Sequence, residues 1–350
     1  MSPVIALHPL RVILPPEAPA ALQQGLQAAG CTVLAQHEAG ADSPGTDWVL
    51  CSAQEWAALQ AARQQLDERR WTERAKGVLM QCQQLDEAQA YKLLRDAAMQ
   101  AQTRLSELAR HLVHQHERAE ALERAGAQRM LSQRLLRLQA QALLGLEPAT
   151  AAQLQAESAA RIEANLARLH ELLHGALREV LGPVQEAWAA LQQSLRGEPR
   201  QDQLSTQDSA AQQLLECSET LVHAIAQTGH EQAPRLLVLC TRQRLLSQRL
   251  VKEALLAQLD PGHDPQRLAL GLDEFLRALQ TLRNAPLHSP GLQAAFDAVD
   301  REWDRLLRGL RQGQGGSPAL RDLCERSERL LQALDALTLV VQRSLQTLLS

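Results

Sequence analysis

Two stretches of the chain carry the residue types of an anion-binding site. Gln128-Arg-Met-Leu-Ser-Gln-Arg-Leu135 and Gln243-Arg-Leu-Leu-Ser-Gln-Arg-Leu250 lie 115 residues apart and agree at seven of eight positions. A guanidinium group binds planar oxyanions through its fork of N–H donors. A duplicated helix usually returns to a pseudo-symmetric place in a fold, so the repeat predicts that two such sets face each other.

Helical geometry separates the four repeated arginines into two kinds. Arg129 and Arg244 each follow a glutamine, whereas Arg134 and Arg249 lie five residues further on, about 140° around the helix. All four therefore cannot face one point equally. An alternative stays open, in which the polar residues of the repeat only set helix register and the arginines make surface ion pairs.

The elements that carry these residues are predicted to be helices. The chain of 350 residues is 45% apolar but only 2% aromatic, and it is rich in Leu, Ala, Gln, Arg and Glu, a composition that favours helices. Glycine and proline mark the corners between helical segments. The predicted helices are 53–81, 86–102, 105–116, 119–144, 148–181, 183–195, 210–228, 234–259, 266–282, 291–310 and 319–348.

The organisation along the chain predicts a mainly α protein in three parts. Residues 1–52 show a short β-α-β-β pattern with glycine and proline at the junctions. Residues 53–118 are predicted to form a coiled coil followed by a small three-helix module. Residues 119–350, with a polar linker at 197–208, are predicted to form a duplicated bundle of antiparallel helices.

Charge and cysteine usage favour an intracellular protein. The formal net charge is -4, and the six cysteines lack CxxC spacing, so we expect reduced thiols in the cytoplasm. The N-terminus lacks the pattern of a secretory signal, and no stretch approaches the roughly 18 apolar residues of a membrane span. We expect a sensor in this chain to respond to an intracellular solute.

The small module carries a specific set of motifs. Trp71-Thr-Glu-Arg-Ala-Lys-Gly-Val-Leu-Met80 is followed by Asp86-Glu-Ala-Gln-Ala-Tyr-Lys-Leu-Leu-Arg-Asp-Ala-Ala-Met99 and by Leu105-Ser-Glu-Leu-Ala-Arg-His-Leu-Val113. Over about residues 66–115 this pattern resembles the ANTAR family, the RNA-binding domain of bacterial transcription antitermination regulators. The resemblance implies a homodimer that binds paired RNA hairpins with hexanucleotide loops in a leader transcript. The positions that it assigns to RNA are Ala75, Lys76, Gly77, Arg95 and Arg104.

The N-terminal segment resembles a shortened receiver domain, which many ANTAR proteins carry. A receiver needs an acidic pair after its first strand and an aspartate after its third. Here those positions read Pro15-Pro16 and Cys51-Ser52, so we expect no phosphorylation control. The input signal must then come from another part of the chain.

The first arginine stretch supplies a second resemblance. Arg124-Ala-Gly-Ala-Gln-Arg-Met-Leu-Ser-Gln-Arg-Leu135 resembles a box of nitrate and nitrite sensor kinases and of the related PilJ-type and NIT helical sensor domains. The resemblance implies that Arg129 and Arg244 contact nitrate or nitrite. The further ligand-binding residues that we assign to the site are Gln128, Gln243, Ser132, Ser247, Arg134 and Arg249. Because Leu239-Cys-Thr241 replaces Arg-Ala-Gly in the second copy, we expect an asymmetric site.

Catalytic and metal sites are not predicted. His170-Glu-Leu-Leu-His174 matches a zinc-protease pattern, but the motif is short and its helix already has an apolar stripe. The sequence therefore predicts a cytoplasmic, non-enzymatic, dimeric regulator that controls antitermination in response to nitrate or nitrite, without a cofactor or a metal. The alternative is a helical interaction protein that is regulated by a partner sensor and has no anion site of its own.

Overall fold

A computed structural model describes residues 11–13, 20–28, 32–34, 48–49, 53–228, 232–285, 290–312 and 316–348. The chain divides into two compact units, residues 1–74 and 75–350. No helix in these ranges has both the length and the apolar character that a membrane span requires. The fold is mainly α, as the composition predicts.

The first unit contains a small parallel sheet. The strands are β1 (Arg11–Ile13), β2 (Thr32–Leu34) and β3 (Trp48–Val49), with helix α1 (Ala20–Ala28) between the first two. Their spatial order is β2-β1-β3, with β1 parallel to both neighbours. The predicted β-α-β-β pattern is thus confirmed, and this order matches the first three strands of doubly wound receiver-like folds. The receiver positions Pro15-Pro16 and Cys51-Ser52 lie outside the described residues.

Three helical segments build the small module. Helix α2 (Ala53–Gln83) is followed by α3 (Glu87–Gln100), which a capping box starts: the Asp86 carboxylate accepts from the Gln89 amide N–H at 2.7 Å. The first part of α4 (Leu105–Leu143) completes the module. Its buried apolar side chains recur four residues apart within each segment, on one face of the helix. They are Ala75, Leu79, Ala90, Leu94, Ala98, Ala109 and Val113.

Helix α4 is longer than the sequence predicts. It continues without interruption from Leu105 to Leu143, where two helices, 105–116 and 119–144, were expected. Neither glycine nor proline occurs between His116 and Ala119. Nothing in the sequence therefore interrupts the helical hydrogen bonds there. One helix therefore belongs both to the small module and to the bundle that follows.

The rest of the chain forms two groups of four helices. The first group contains α4, α5 (Pro148–Leu172), α6 (Ala176–Ser194) and α7 (Leu204–Gln227), which begins after a short 3-10 turn at Gln201–Gln203. The second contains α8 (Gln232–Leu259), α9 (Gln266–Arg283), α10 (Pro290–Gln312) and α11 (Ser317–Leu348). Helix α4 packs along α5, α7 and α8, and helix α8 packs along α9 and α11. The pair α4 and α8 therefore joins the two groups.

Two predicted boundaries in the bundle are wrong. The sequence places a helix break at Gly182-Pro183, but Pro183 lies inside α6 and the break falls at Gly175, which has a positive φ of 56°. Leu181 and Val184 on either side of Pro183 are buried, so packing outweighs the proline penalty. The predicted linker 197–208 is shorter than expected because α7 already begins at Leu204.

The core of the bundle is mostly leucine and alanine. One continuous cluster includes side chains from all eight helices of the two groups. The aromatic contribution includes Phe275 of α9 stacked on Trp303 of α10, with ring centroids 3.9 Å apart. Cys240 and Cys324 are buried free thiols, and burial raises the pKa of Cys240 to about 12.

Helices α4 and α8 pack closely at Gly126. A Cβ atom added there would lie 2.5 Å from both Cβ and Cγ2 of Thr241. We expect Gly126→Ala to lower the free energy of unfolding by about 1–3 kcal/mol, because the helices would have to separate.

Gly77→Ala in α2 is the matched control for this variant. It also lies in a helix, but no described atom lies within 4 Å of its added Cβ. Alanine is the better helix former, so this change should leave stability equal or slightly higher. Urea unfolding of both variants measures the difference, and equal midpoints would contradict the close crossing.

Candidate functional site

The two arginine repeats meet where α4 crosses α8. Gly126 and Thr241 are equivalent positions of the repeats, 115 residues apart, and they contact each other. When equivalent positions of two copies touch, they lie near a two-fold axis that relates the copies. The duplication predicted from the sequence thus brings the two repeats face to face.

Arg129 is fully buried at this crossing. Its Nη1 lies 2.5 Å from Oε2 of Glu219 on α7, and its Nη2 donates to Oγ1 of Thr241 at 2.7 Å. Its Nε has no acceptor among the described residues. Burial lowers the pKa of Arg129, Glu219 partly offsets this effect, and the positive charges of Arg242 and Arg244 add to it.

Arg244 occupies the equivalent position in the second repeat. Its Nη1 donates to Oδ1 of Asp335 on α11 at 2.9 Å, and its Nη2 donates to Oε1 of Glu123 on α4 at 3.1 Å. Its Nε also has no acceptor among the described residues. Burial lowers the pKa of Arg244, but the two carboxylates together outweigh it and raise the pKa above its ordinary value.

A third arginine and its carboxylate were not predicted from the sequence. Arg242 donates from Nη1 to Oε1 of Glu219 at 3.2 Å and from Nε to Oε1 of Glu274 at 2.6 Å. Desolvation by burial raises the pKa of Glu219, yet Arg129 and Arg242 hold it below the usual glutamate value. The sequence does contain one signal for the arginine, because Arg242 occupies the position where the first repeat has Ala127.

We call this group of seven charged side chains the central cluster. It contains three arginines, Arg129, Arg242 and Arg244, and four carboxylates, Glu123, Glu219, Glu274 and Asp335. Buried charges are stable only when they are paired and hydrogen-bonded. The carboxylates exceed the guanidiniums by one, so an added anion would have to take the place of a carboxylate.

The glutamines and serines of the repeats make contacts of the same kind in both copies. The side-chain amide of Gln128 donates to the carbonyl oxygen of Ile162 at 3.1 Å, and that of Gln243 donates to Phe275 at 3.0 Å. Ser132 and Ser247 each donate to the backbone three residues before them, at 2.8 Å. The two glutamines therefore hold α4 to α5 and α8 to α9, whereas the two serines bond within their own helices.

The second arginine of the first repeat lies apart from the central cluster. Arg134 pairs with Glu328 of α11 at 2.7 Å, and the same carboxylate also binds Arg137, which is fully buried. Burial lowers the pKa of Arg137, and Glu328 partly offsets this shift. Arg137 was not predicted as a site residue, although it lies on α4 two residues beyond the repeat.

The second repeat has an equivalent outer cluster. Lys252, the counterpart of Arg137, is buried and binds Asp208 of α7 at 2.8 Å. Arg249 lies 3.8 Å from Glu253. The four repeated arginines thus separate into one central pair and two outer positions, and the outer clusters tie α4 to α11 and α8 to α7.

The positions assigned to RNA differ in exposure. Ala75 is buried, and Lys76 is buried beside Glu87, whose pKa it lowers through an ion pair of 2.7 Å. Gly77, Arg95 and Arg104 are exposed. No described atom lies within 4 Å of a Cβ added to Gly77, so packing in this chain does not require a glycine there.

Helix α3 also presents an exposed stripe that the sequence reasoning did not include. Tyr91 and Met99 lie four residues before and after Arg95, and their side chains are 42% and 71% exposed. Exposed aromatic and guanidinium groups provide stacking surfaces for unpaired bases. The spacing i, i+4, i+8 was the signal that would have found this stripe.

A cavity of about 700 Å³ lies between the small module and the bundle. Its walls include Leu79, Leu94 and Leu112 of the module, together with Glu123 of α4 and Leu237 of α8. Glu123 therefore belongs both to this cavity and to the central cluster.

Comparison with known proteins finds family matches for two segments of the chain. Residues 60–113 match the family model of the ANTAR domain, and residues 239–337 match that of PilJ, the N-terminal part of type IV pili methyl-accepting chemotaxis transducers. No curated protein and no solved structure matches the chain significantly. These two matches define a regulatory protein in which an RNA-binding module is joined to a helical sensor.

The particular combination is an ANTAR domain at 60–113 followed by a PilJ-type helical domain at 239–337. This fusion is the one that the sequence motifs predict. The PilJ match covers the second arginine repeat, whereas the first repeat is related to it by the sequence identity of the two boxes. ANTAR and PilJ-type domains are regulatory and sensory rather than catalytic.

The zinc-protease pattern does not keep its helical spacing. Helix α5 ends at Leu172, between the two histidines of His170-Glu-Leu-Leu-His174. Within the described ranges, no three His, Cys, Asp or Glu side chains are grouped as metal ligands.

The outer cluster of the first repeat makes a stability prediction. Glu328→Gln leaves the buried Arg137 guanidinium without its carboxylate, so we expect a loss of about 2–3 kcal/mol in the free energy of unfolding. Glu325→Gln on the same helix is the control, because its pair with Arg329 is long, at 3.8 Å, and exposed. Urea unfolding compares the two, and an equally small effect at both positions would show that Glu328 does not hold Arg137.

Proposed function

We propose that this protein is a nitrate- or nitrite-responsive transcription antitermination regulator. The ANTAR domain binds paired hairpins in a leader RNA, and the helical domain controls this binding through an anion at the central cluster. The protein acts in the cytoplasm as a homodimer and has no enzymatic activity. The observation that carries the proposal is the pair of buried arginines, Arg129 and Arg244, at equivalent positions of two facing repeats.

The chemistry of the central cluster supports a small planar anion. The groups that bind Arg129 and Arg244 are carboxylates, which share with nitrate and nitrite a planar arrangement of oxygens and a delocalised negative charge. Each of the two guanidiniums also keeps an Nε donor without an acceptor among the described residues. A ligand that replaces a carboxylate in only one arrangement of the helices binds that arrangement more tightly. Its binding therefore shifts the bundle toward that arrangement.

The exposed face of α3 supports RNA recognition. Arg95 offers a charge for phosphate, and Tyr91 offers a ring for stacking on a base of a hairpin loop. Gly77 leaves room on α2 for a backbone to approach. The buried Lys76 serves this surface indirectly, because its ion pair with Glu87 holds the start of α3 against α2.

A second function is favoured by the pairing of the buried arginines with carboxylates of the same chain. A bundle whose charges are already neutralised can act as a scaffold that a partner sensor regulates, without binding an anion. Direct measurement of anion binding separates the two functions, because only the sensor has a saturable site for nitrate or nitrite.

Titration calorimetry with nitrate, nitrite and chloride tests the sensor function. We expect saturable binding of nitrate or nitrite by the wild-type protein, and at least about tenfold weaker binding by Arg129→Lys, or about 1.4 kcal/mol. Lysine keeps the charge but loses the planar fork of donors.

Arg134→Lys is the control, because its guanidinium lies with Glu328 rather than in the central cluster. Its anion affinity should stay within a factor of two or so of the wild type. Wild-type affinity in Arg129→Lys would remove that residue from the site. Absence of binding by the wild type would favour the scaffold.

Binding to a synthetic RNA with two hexanucleotide-loop hairpins tests the RNA-binding face. We expect Arg95→Ala to weaken binding and to reduce the slope of log affinity against log salt by about one, as the loss of one phosphate contact requires.

Arg161→Ala, at an exposed position of α5, removes the same charge outside the ANTAR domain and is the control. Fluorescence anisotropy at several salt concentrations gives both slopes. If the two variants bind alike, Arg95 does not contact the RNA.

A further inference from the structure

Glu123 connects two features that otherwise lie apart. Its Oε1 accepts hydrogen bonds from Nη1 and Nη2 of Arg244 at 3.2 and 3.1 Å. The same residue lines the cavity between the ANTAR helices and the bundle. It is carried by α4, whose first turns, from Leu105, belong to the ANTAR module. Glu123 therefore lies where the central cluster meets the cavity beside the ANTAR helices.

The duplicated half lacks an equivalent carboxylate. The counterpart of Glu123, 115 residues later, is Val238, whereas Glu219 and Asp335 bind the two central arginines from equivalent helices, α7 and α11. The Glu123 contact is thus an addition to the repeated pattern. Arg244 thus pairs with two carboxylates, Glu123 and Asp335. This half of the central cluster carries one more negative charge than positive charges.

Glu123 binds Arg244 through two long contacts. They are longer than the 2.9 Å contact of Asp335 to the same guanidinium, and charge-assisted bonds weaken with length. Glu219, by contrast, binds both Arg129 and Arg242, so its release would leave two cations without a partner. The side chain of Glu123 is 28% exposed, and that of Arg244 only 3%. A released Glu123 can regain water in the cavity, while the arginine stays buried.

We propose that Glu123 is an internal competitor for the effector anion at Arg244 and that its release couples the anion site to the ANTAR helices. This inference rests on the proposed function and names how the same site is regulated. An anion that binds Arg244 takes the place of the Glu123 carboxylate, and the freed side chain enters the junction cavity. By linkage, whatever stabilises the Glu123–Arg244 pair weakens anion binding by the same factor.

The test uses nitrate binding by calorimetry and RNA binding by anisotropy, both on the full chain. Glu123→Gln removes the competing charge, so we expect nitrate to bind about five- to fiftyfold more tightly than in the wild type. The RNA affinity of this variant should no longer change when nitrate is added.

Asp335→Asn is the matched control. It removes the other carboxylate on Arg244, but Asp335 is not among the residues that line the cavity. We expect tighter nitrate binding together with a nitrate-dependent RNA affinity. If Glu123→Gln does not fold, as judged by circular dichroism, Glu123→Asp shortens the reach to Arg244 and should also tighten nitrate binding.

The outcomes separate the two proposals. Nitrate binding by the wild type with unchanged affinity in Glu123→Gln overturns the inference alone. A nitrate-dependent RNA affinity that persists in Glu123→Gln also overturns it. Absence of both nitrate and nitrite binding in both proteins overturns the proposed function and the inference with it.

Discussion

The close crossing of α4 and α8 is the constraint on which the other contacts depend. Because Gly126 has no side chain, Thr241 can pack against the backbone of α4, and the hydroxyl of Thr241 then meets Arg129 at 2.7 Å. The same approach brings Glu123 of α4 to Arg244 of α8. With wider separation, the buried guanidiniums of Arg129 and Arg244 would each lose one partner, the Thr241 hydroxyl and the Glu123 carboxylate respectively. The packing and the charge pairing at the centre of the bundle therefore depend on the same distance between α4 and α8.

Local patterns in the sequence account for most of the fold. The apolar periodicity predicts nearly all helices, and the ANTAR motifs predict the small module. The failures have two causes, a tertiary contact that overrides a local signal and a helix boundary that no residue marks. Pro183 stays inside α6 because Leu181 and Val184 are buried, and α4 runs on past His116 because nothing stops it.

The candidate site is predictable only in part for a related reason. The repeat identifies Arg129 and Arg244, but their carboxylates come from positions about ninety residues away, at Glu219 and Asp335. No spacing rule links residues on different helices, so a pairing of this kind needs the packed structure. Lys76 gives the opposite lesson. Its place in a binding motif suggests exposure, yet it is buried in an ion pair with Glu87.

Fusing two copies into one chain permits something that a homodimer cannot achieve. At the two-fold axis of a homodimer the same residue must serve both subunits, so two glycines or two threonines would meet there. Here the axis joins one Gly126 to one Thr241, and the position of Glu123 in the first copy is occupied by Val238 in the second. The two halves are free to diverge while the fold stays the same. A change at the central cluster can therefore affect the two halves of the bundle differently.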